Sequence, residues 1–248
     1  MSPGPEPARV QAPPRTLEEI EHRLRWRFVP LLVFAAMMLG LGAVAAISLL
    51  APPRTVAGIP GDADVQAAFA RIRGQRPIGL GELRFRSELT GEAEPGIAQP
   101  DPAAAAEAQE LLARAQARSP ADARILTARA HLNLARHMYV HAERRYRRAV
   151  VLAPHFGEAR LGLGVALALR AEGDADLLEQ RALRLQAVAQ FAAVAAGDPV
   201  HLHALYDRAT LLERLGRRAE AERWAREYLR ADGRSRWAQS LAARLEPR

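Results

Sequence analysis

Pro120 and Pro154 stand 34 residues apart, and both close the same pattern of apolar residues. Twelve, eight and five positions before them come Ala108, Leu112 and Ala115, then Ala142, Tyr146 and Ala149. Pro199 follows Ala187, Phe191 and Val194 at those offsets, and Gly233, another 34 residues on, follows Ala221, Ala225 and Tyr228. A period near 34, in units too small to bury an apolar face alone, specifies helical hairpins that are stable only against their neighbours. Alanine at minus twelve lets two helices approach closely, and the bulky residue at minus eight fills the gap between hairpins. The proline stops the second helix, since it cannot continue the backbone ladder.

The first helix of each unit starts about three residues after the previous proline. It carries Leu126, Ala130 and Asn133 in residues 123–154, Leu163, Gly164 and Leu167 in residues 157–199, and Leu205, Ala209 and Leu212 in residues 202–233. On these residues the chain resembles the tetratricopeptide repeat (TPR) family over roughly residues 102–245. Leu163-Gly164, Leu215-Gly216 and Glu220-Ala221 are the best local matches. The family's early aromatic is Leu126, Arg160 and Leu205 here, and its usual tyrosine is Asn133, Leu167 and Leu212, so the resemblance rests on period and phase.

The expected fold is all-α: one transmembrane helix, then a TPR-like solenoid of about three repeats. Pro102–Arg118 reads as a half repeat capping one end, and residues 234–245, with Trp237, Leu241 and Leu245 at four-residue spacing, cap the other. The resemblance implies a groove lined from the first helices by Arg124, Thr127, His131 and Leu134, by Glu158, Leu161, Val165 and Ala168, and by His203, Tyr206, Thr210 and Glu213. Such a groove suits an amphipathic helix or an extended peptide. It lacks the lysine–asparagine clamp with which chaperone-binding members hold a C-terminal carboxylate. The middle unit is 11 residues longer, around residues 170–180, about three turns at ~3.6 residues per turn. Added helix capped by Asp174 or Asp176, with Leu177, Leu178 and Leu185 on its apolar side, is the expectation there, as a tolerated insertion or a projecting docking helix.

Residues 28–50 form an apolar run without a charged residue, about 35 Å long as a helix, enough for a hydrocarbon core of ~30 Å. Ala43-Val44-Ala45 could serve a signal peptidase, but the 27-residue leading tail and long apolar core suit an uncleaved anchor better. Arg15, Arg23, Arg25 and Arg27 precede the run, against Arg54 and Arg71 after it. The positive-inside rule then puts the N-terminus in the cytoplasm and the repeats in the periplasm of a bacterial inner membrane. The division expected is a cytoplasmic tail with an Arg-rich amphipathic helix over 1–27, the span over 28–51, a linker over 52–101 and the repeats over 102–248. Within the linker, Asp62 or Asp64 can start a helix with Val65, Phe69 and Ile72 on one face, and Leu83 and Phe85 alternate with Arg84 and Arg86 in a short strand pattern.

All 35 basic residues are arginine, and the net charge is a modest +7. Arg144, Arg145, Arg147 and Arg148 surround the core position Tyr146, so they read as a solvated helix face rather than a nucleic-acid site. An acidic protein or anionic lipid is the more reasonable partner. No cysteine is present, which excludes disulfides, thiol catalysis and covalent haem attachment. Gly162-Leu163-Gly164 and Gly79-Leu80-Gly81 lack the third glycine of a dinucleotide loop. His137 and His141 share i, i+4 spacing, with His131, His201 and His203 elsewhere, but His137 falls at a turn, so no metal, cofactor or catalytic role is expected. The function expected is therefore a scaffold for a protein partner, as adaptor or accessory subunit of a membrane protein complex. The alternative is an assembly factor of c-type cytochrome maturation that presents apocytochrome.

Overall fold

The computed structural model describes residues 62–73, 79–87, 89, 91–92, 96–174 and 176–245. All lie in the second of two units, Pro52–Arg248. The expected cytoplasmic tail and the span over 28–51 lie outside the described residues. Among the described residues no helix is long and apolar enough to cross a membrane.

Nine helices are described: α1 (Ala63–Ile72), α2 (Pro102–Arg118), α3 (Ala123–Ala135), α4 (Tyr139–Leu152), α5 (Gly157–Gly173), α6 (Leu177–Ala192), α7 (His201–Arg214), α8 (Arg218–Ala231) and α9 (Arg236–Leu245). They pack as consecutive antiparallel hairpins, α1 with α2, α3 with α4, α5 with α6 and α7 with α8, and α9 closes the end against α7 and α8. Aspartates set the starts. Asp62, Asp101, Asp122 and Asp176 each accept backbone N–H bonds at the N-cap of α1, α2, α3 and α6, supplying partners to donors that a helix start leaves free. Pro102 occupies the first turn of α2, where its missing N–H costs nothing.

The half repeat of the sequence reading has a partner. Val65, Ala68, Phe69 and Ile72 of α1 bury against Ala105, Ala108 and Leu112 of α2. Arg118 also bridges Asp62 at 2.7 Å and Asp64 at 2.6 Å. The stack thus begins with a complete hairpin, interrupted by an excursion. There β1 (Gly79–Gly81) pairs antiparallel with β4 (Gly96–Ala98), and β2 (Arg86–Ser87) with β3 (Gly91–Glu92), one ladder inside the other. Residues 83–85, expected as a strand, run between β1 and β2 without a ladder of their own.

The period positions are core. Ala108, Leu112, Ala115, Ala142, Tyr146, Ala149, Ala187, Ala221, Ala225 and Tyr228 are all fully buried. Two glycines explain how α5 sits. A Cβ at Gly162 would overlap the Tyr146 ring, and one at Gly164 would overlap the Phe191 ring, so the backbone of α5 rests directly on aromatics from α4 and α6. The tight turns before α4 and α8 are equivalent. Met138 N–H bonds Asn133 carbonyl and Arg217 N–H bonds Leu212 carbonyl, with His137 (φ 57°) and Gly216 (φ 74°) in the left-handed position between.

About half of the 11 extra residues lengthen the two helices of the third hairpin, and the rest extend the segment after α6, residues 193–200. The α5 and α6 helices have 17 and 16 residues, against 13 and 14 in α3 and α4 and 14 in each of α7 and α8. Asp176 caps α6, as the sequence allowed. Leu177, Leu178 and Leu185 do not continue its inner side: they are 76%, 78% and 39% exposed, because Leu183, Ala187, Val188 and Phe191 take the packed face.

Tyr146 tests the stacking. Its hydroxyl is buried without a hydrogen-bond partner, so its ring, not its polarity, holds the site. Tyr146→Ala should lower stability by about 3 kcal/mol or more, and Tyr146→Phe should leave it unchanged or raise it. Denaturant titration of both variants checks this; a large loss in Tyr146→Phe would mean the hydroxyl carries the site.

Candidate functional site

The twelve residues expected to line a groove do come together on α3, α5 and α7, but they line no open surface. Thr127, His131, Leu134, Glu158, Leu161, Val165, Ala168, His203, Tyr206 and Thr210 are buried, and Arg124 and Glu213 are half-buried. What covers the face is the chain itself. Leu80, Leu83 and Phe85 belong to one apolar cluster with Leu134, Leu161, Val165, Ala168 and Leu211, and Leu89 joins the neighbouring cluster with Leu111, Ile125 and Leu132. The alternation at residues 83–86 explains how the strap binds: Leu83 and Phe85 turn inward, while Arg86 is exposed.

Polar bonds fix the strap in register. The backbone N–H of Arg84 donates to Asp207 Oδ1 at 2.7 Å. The Arg84 side chain, only 13% exposed, donates from Nε to Glu92 Oε1 at 3.0 Å and from Nη1 to Tyr228 Oη at 2.5 Å and Asp232 Oδ2 at 3.3 Å. His203 Nε2 lies 3.0 Å from Glu92 Oε2. Near the start of the strap, Glu82 accepts from Arg214 at 2.8 Å and from Arg244 at 3.3 Å. Arg244 also donates to Thr210 Oγ1 at 2.8 Å, which ties α9 to the same network. An arginine shared among carboxylates and a phenol makes several charge-assisted bonds at once, each stronger than a neutral pair.

The ionisable groups carry the imprint of this burial. Burial pushes the Asp207 carboxyl well above the usual range, opposed by the Arg84 N–H and charge. Burial would also raise Glu92, but His203 and Arg84 outweigh it and hold the carboxyl low. Asp232 is held at about 2, since hydrogen bonds from Ser235 and Tyr228 overcome its own desolvation. His131 has no such help. It is fully buried, with Phe85 edge-on at 5.2 Å and Tyr146 tilted at 5.7 Å, and desolvation alone takes it down to about 3. It sits in the core as a neutral ring.

The other expected positions play structural parts. Arg124 pairs with the cap residue Asp122 at 2.7 Å. The Thr127 hydroxyl donates to Ala123 carbonyl. Tyr206 packs between Tyr228 at 5.6 Å and Trp237 at 5.2 Å, in the core that seats α9. His137 stays at its turn beside Gln99, 3.0 Å away. Among the described residues no group of three or more His, Asp or Glu side chains is arranged to hold a metal. The residues that the groove assignment missed are Arg84, Glu92, Asp207, Tyr228 and Asp232. The 83–86 alternation was the sequence signal for Arg84, and the 34-residue period that for Tyr228.

No family model matches the chain, and no curated protein does. Among solved structures it is similar to the crystal structure of a thermophilic TPR protein in Thermus thermophilus, with a TM-score of 0.50 and 20% identity over 58% of this chain and 73% of that one.

The buried imidazole sets a pH dependence. Its pKa falls from 6.5 unfolded to about 3 folded, so between those values the unfolded chain binds the extra proton. Stability from this site is intact above pH 6.5 and is lost as pH falls toward 3. Asp207 slopes the opposite way but is common to wild type and variant. The expected outcome is a flatter stability profile from neutral to acid pH in His131→Leu, read by denaturant titration; an unchanged slope would mean that His131 titrates normally in the fold. Phe85→Ala should cost about 3–5 kcal/mol in the same assay, as for a large core residue; a surface-like loss would mean the strap is not part of the core. With these contacts in place, the described residues have the fold of a TPR-like helical solenoid, and Leu80, Leu83, Phe85 and Leu89 of the same chain close one face of it.

Proposed function

We propose that this chain is a membrane-anchored scaffold that holds a protein partner, as adaptor or accessory subunit of a membrane protein complex. The observation that carries the proposal is the TPR-like array itself, four stacked hairpins that offer long, rigid faces. The uncharged run at residues 28–50 and the arginine excess before it support a single span with the N-terminus in the cytoplasm and the array in the periplasm of a bacterial inner membrane. An anchor confines partner and scaffold to one plane and raises their effective concentration, so modest contacts suffice.

The lining from Arg124 to Glu213 then serves as the seat of an extended segment, and its occupant here is the chain's own strap, with Leu80, Leu83, Phe85 and Leu89. Emptying it would re-expose Leu80, Leu83, Phe85 and Leu89, each worth ~1.5–3 kcal/mol when fully buried. A partner therefore meets the array with the strap in place. Asp207 and His203 of this face hold the strap, at Arg84 and Glu92, rather than a substrate, which supports a binding role over catalysis.

Purification from native membranes in mild detergent, with mass spectrometry of what stays bound, tests the proposal. A stoichiometric set of integral-membrane subunits is expected. Substoichiometric apocytochrome and haem-handling proteins would contradict the adaptor role and favour an assembly factor of c-type cytochrome maturation. Alkaline carbonate extraction should leave the chain in the membrane pellet; its release would contradict the anchor.

A further inference from the structure

Six large apolar side chains are exposed among the described residues, and all six lie on two neighbouring helices: Val140, Val151 and Leu152 on α4, and Leu177, Leu178 and Leu185 on α6. A bond from Arg147 to Gln186, 3.1 Å long, joins the two helices at this surface. Exposed arginines stand among the apolar residues. Arg144 and Arg148 rise from α4 and Arg181 from α6, and none of them enters an ion pair among the described residues. On the first hairpin and at the start of α8 the arginines are paired instead: Arg114 and Arg118 meet Asp62 and Asp64, and Arg217 and Arg218 meet Glu220 and Glu222. On α4 the one acid facing this side, Glu143, is buried and already shared by Arg147 and Arg170. Glu179 and the cap residue Asp176 are the acids of α6 here.

We propose that this face of α4 and α6 docks on an anionic lipid surface, an inference that rests on the anchored reading above. Arg144, Arg148 and Arg181 stand among the apolar residues of both helices, so no uninterrupted apolar stripe is left for a partner helix. An interface of headgroups over acyl chains takes both kinds of side chain: leucines sink past the headgroups, and guanidinium groups reach phosphates on their apolar stems. Geometry permits the contact. Only eleven residues separate Leu50 from Asp62, at most about 40 Å of fully extended chain, which keeps the array within reach of the bilayer.

The cysteine-free sequence makes the test clean. A nitroxide on Leu178→Cys, in the full chain reconstituted into phosphatidylethanolamine vesicles with phosphatidylglycerol, should be shielded from an aqueous reductant. The same label should be open in phosphatidylcholine vesicles, and a label on Glu227→Cys of α8 should be open in both. Replacing Arg144, Arg148 and Arg181 by glutamine should lower the docked-to-free ratio on the order of a hundredfold. Equal exposure at position 178 in both vesicles would overturn the proposal, as would shielding that appears only when other membrane proteins are present. Carbonate extraction of the same vesicles reads the anchor separately. Should the chain be released, it must still float with phosphatidylglycerol vesicles in a salt-sensitive way, and failure to float would overturn the docking face.

Discussion

The architecture depends on covering α5 from every side. From Gly157 to Leu169 all its residues but Arg160 are buried, and a helix that is apolar all round is stable only with packing all round. Tyr146 and Phe191 press on the backbone at Gly162 and Gly164, filling the sides toward α4 and α6. Neighbouring first helices α3 and α7 cover its flanks. One side of the row α3, α5 and α7 would still face water as an apolar sheet of helices. The strap from Leu80 to Glu92 is what closes it.

An extended strap solves a problem that another helix would not. Its own backbone groups need partners inside an apolar layer, and buried polar groups without them are costly. The two nested ladders satisfy part of the strap, and Asp207 takes the Arg84 N–H where the ladder stops. Arg84 then ties Glu92, Tyr228 and Asp232 together, so the strap, the last hairpin and α9 share one network. The face formed by α3, α5 and α7 is thereby an internal layer.

Much of this was legible in the residues and some was not. The 34-residue period located the recurring core positions of the second helices, because a repeat forces the same environment on Leu112, Tyr146 and Phe191. The α1 helix was visible from Asp62 and the spacing of Val65, Phe69 and Ile72, but its union with α2 was hidden by the excursion inserted between them. The expected lining residues lie on α3, α5 and α7, and their burial depends on what lies above them, which spacing does not show. Two local signs pointed to a cover: the unbroken apolar character of α5 and the inward alternation of Leu83 and Phe85. Leu177 and Leu178 misled for the opposite reason, as apolar residues past the end of the packed face look like core until their neighbours are placed.

Amide hydrogen exchange across residues 80–92 tests most directly whether the strap is core. The closed-face account predicts that the Arg84 amide and its neighbours exchange as slowly as amides in the middle of α5, opening only with the fold as a whole. Exchange on the timescale of an unprotected loop, with α5 still protected, would contradict it and leave the inner face open to a partner.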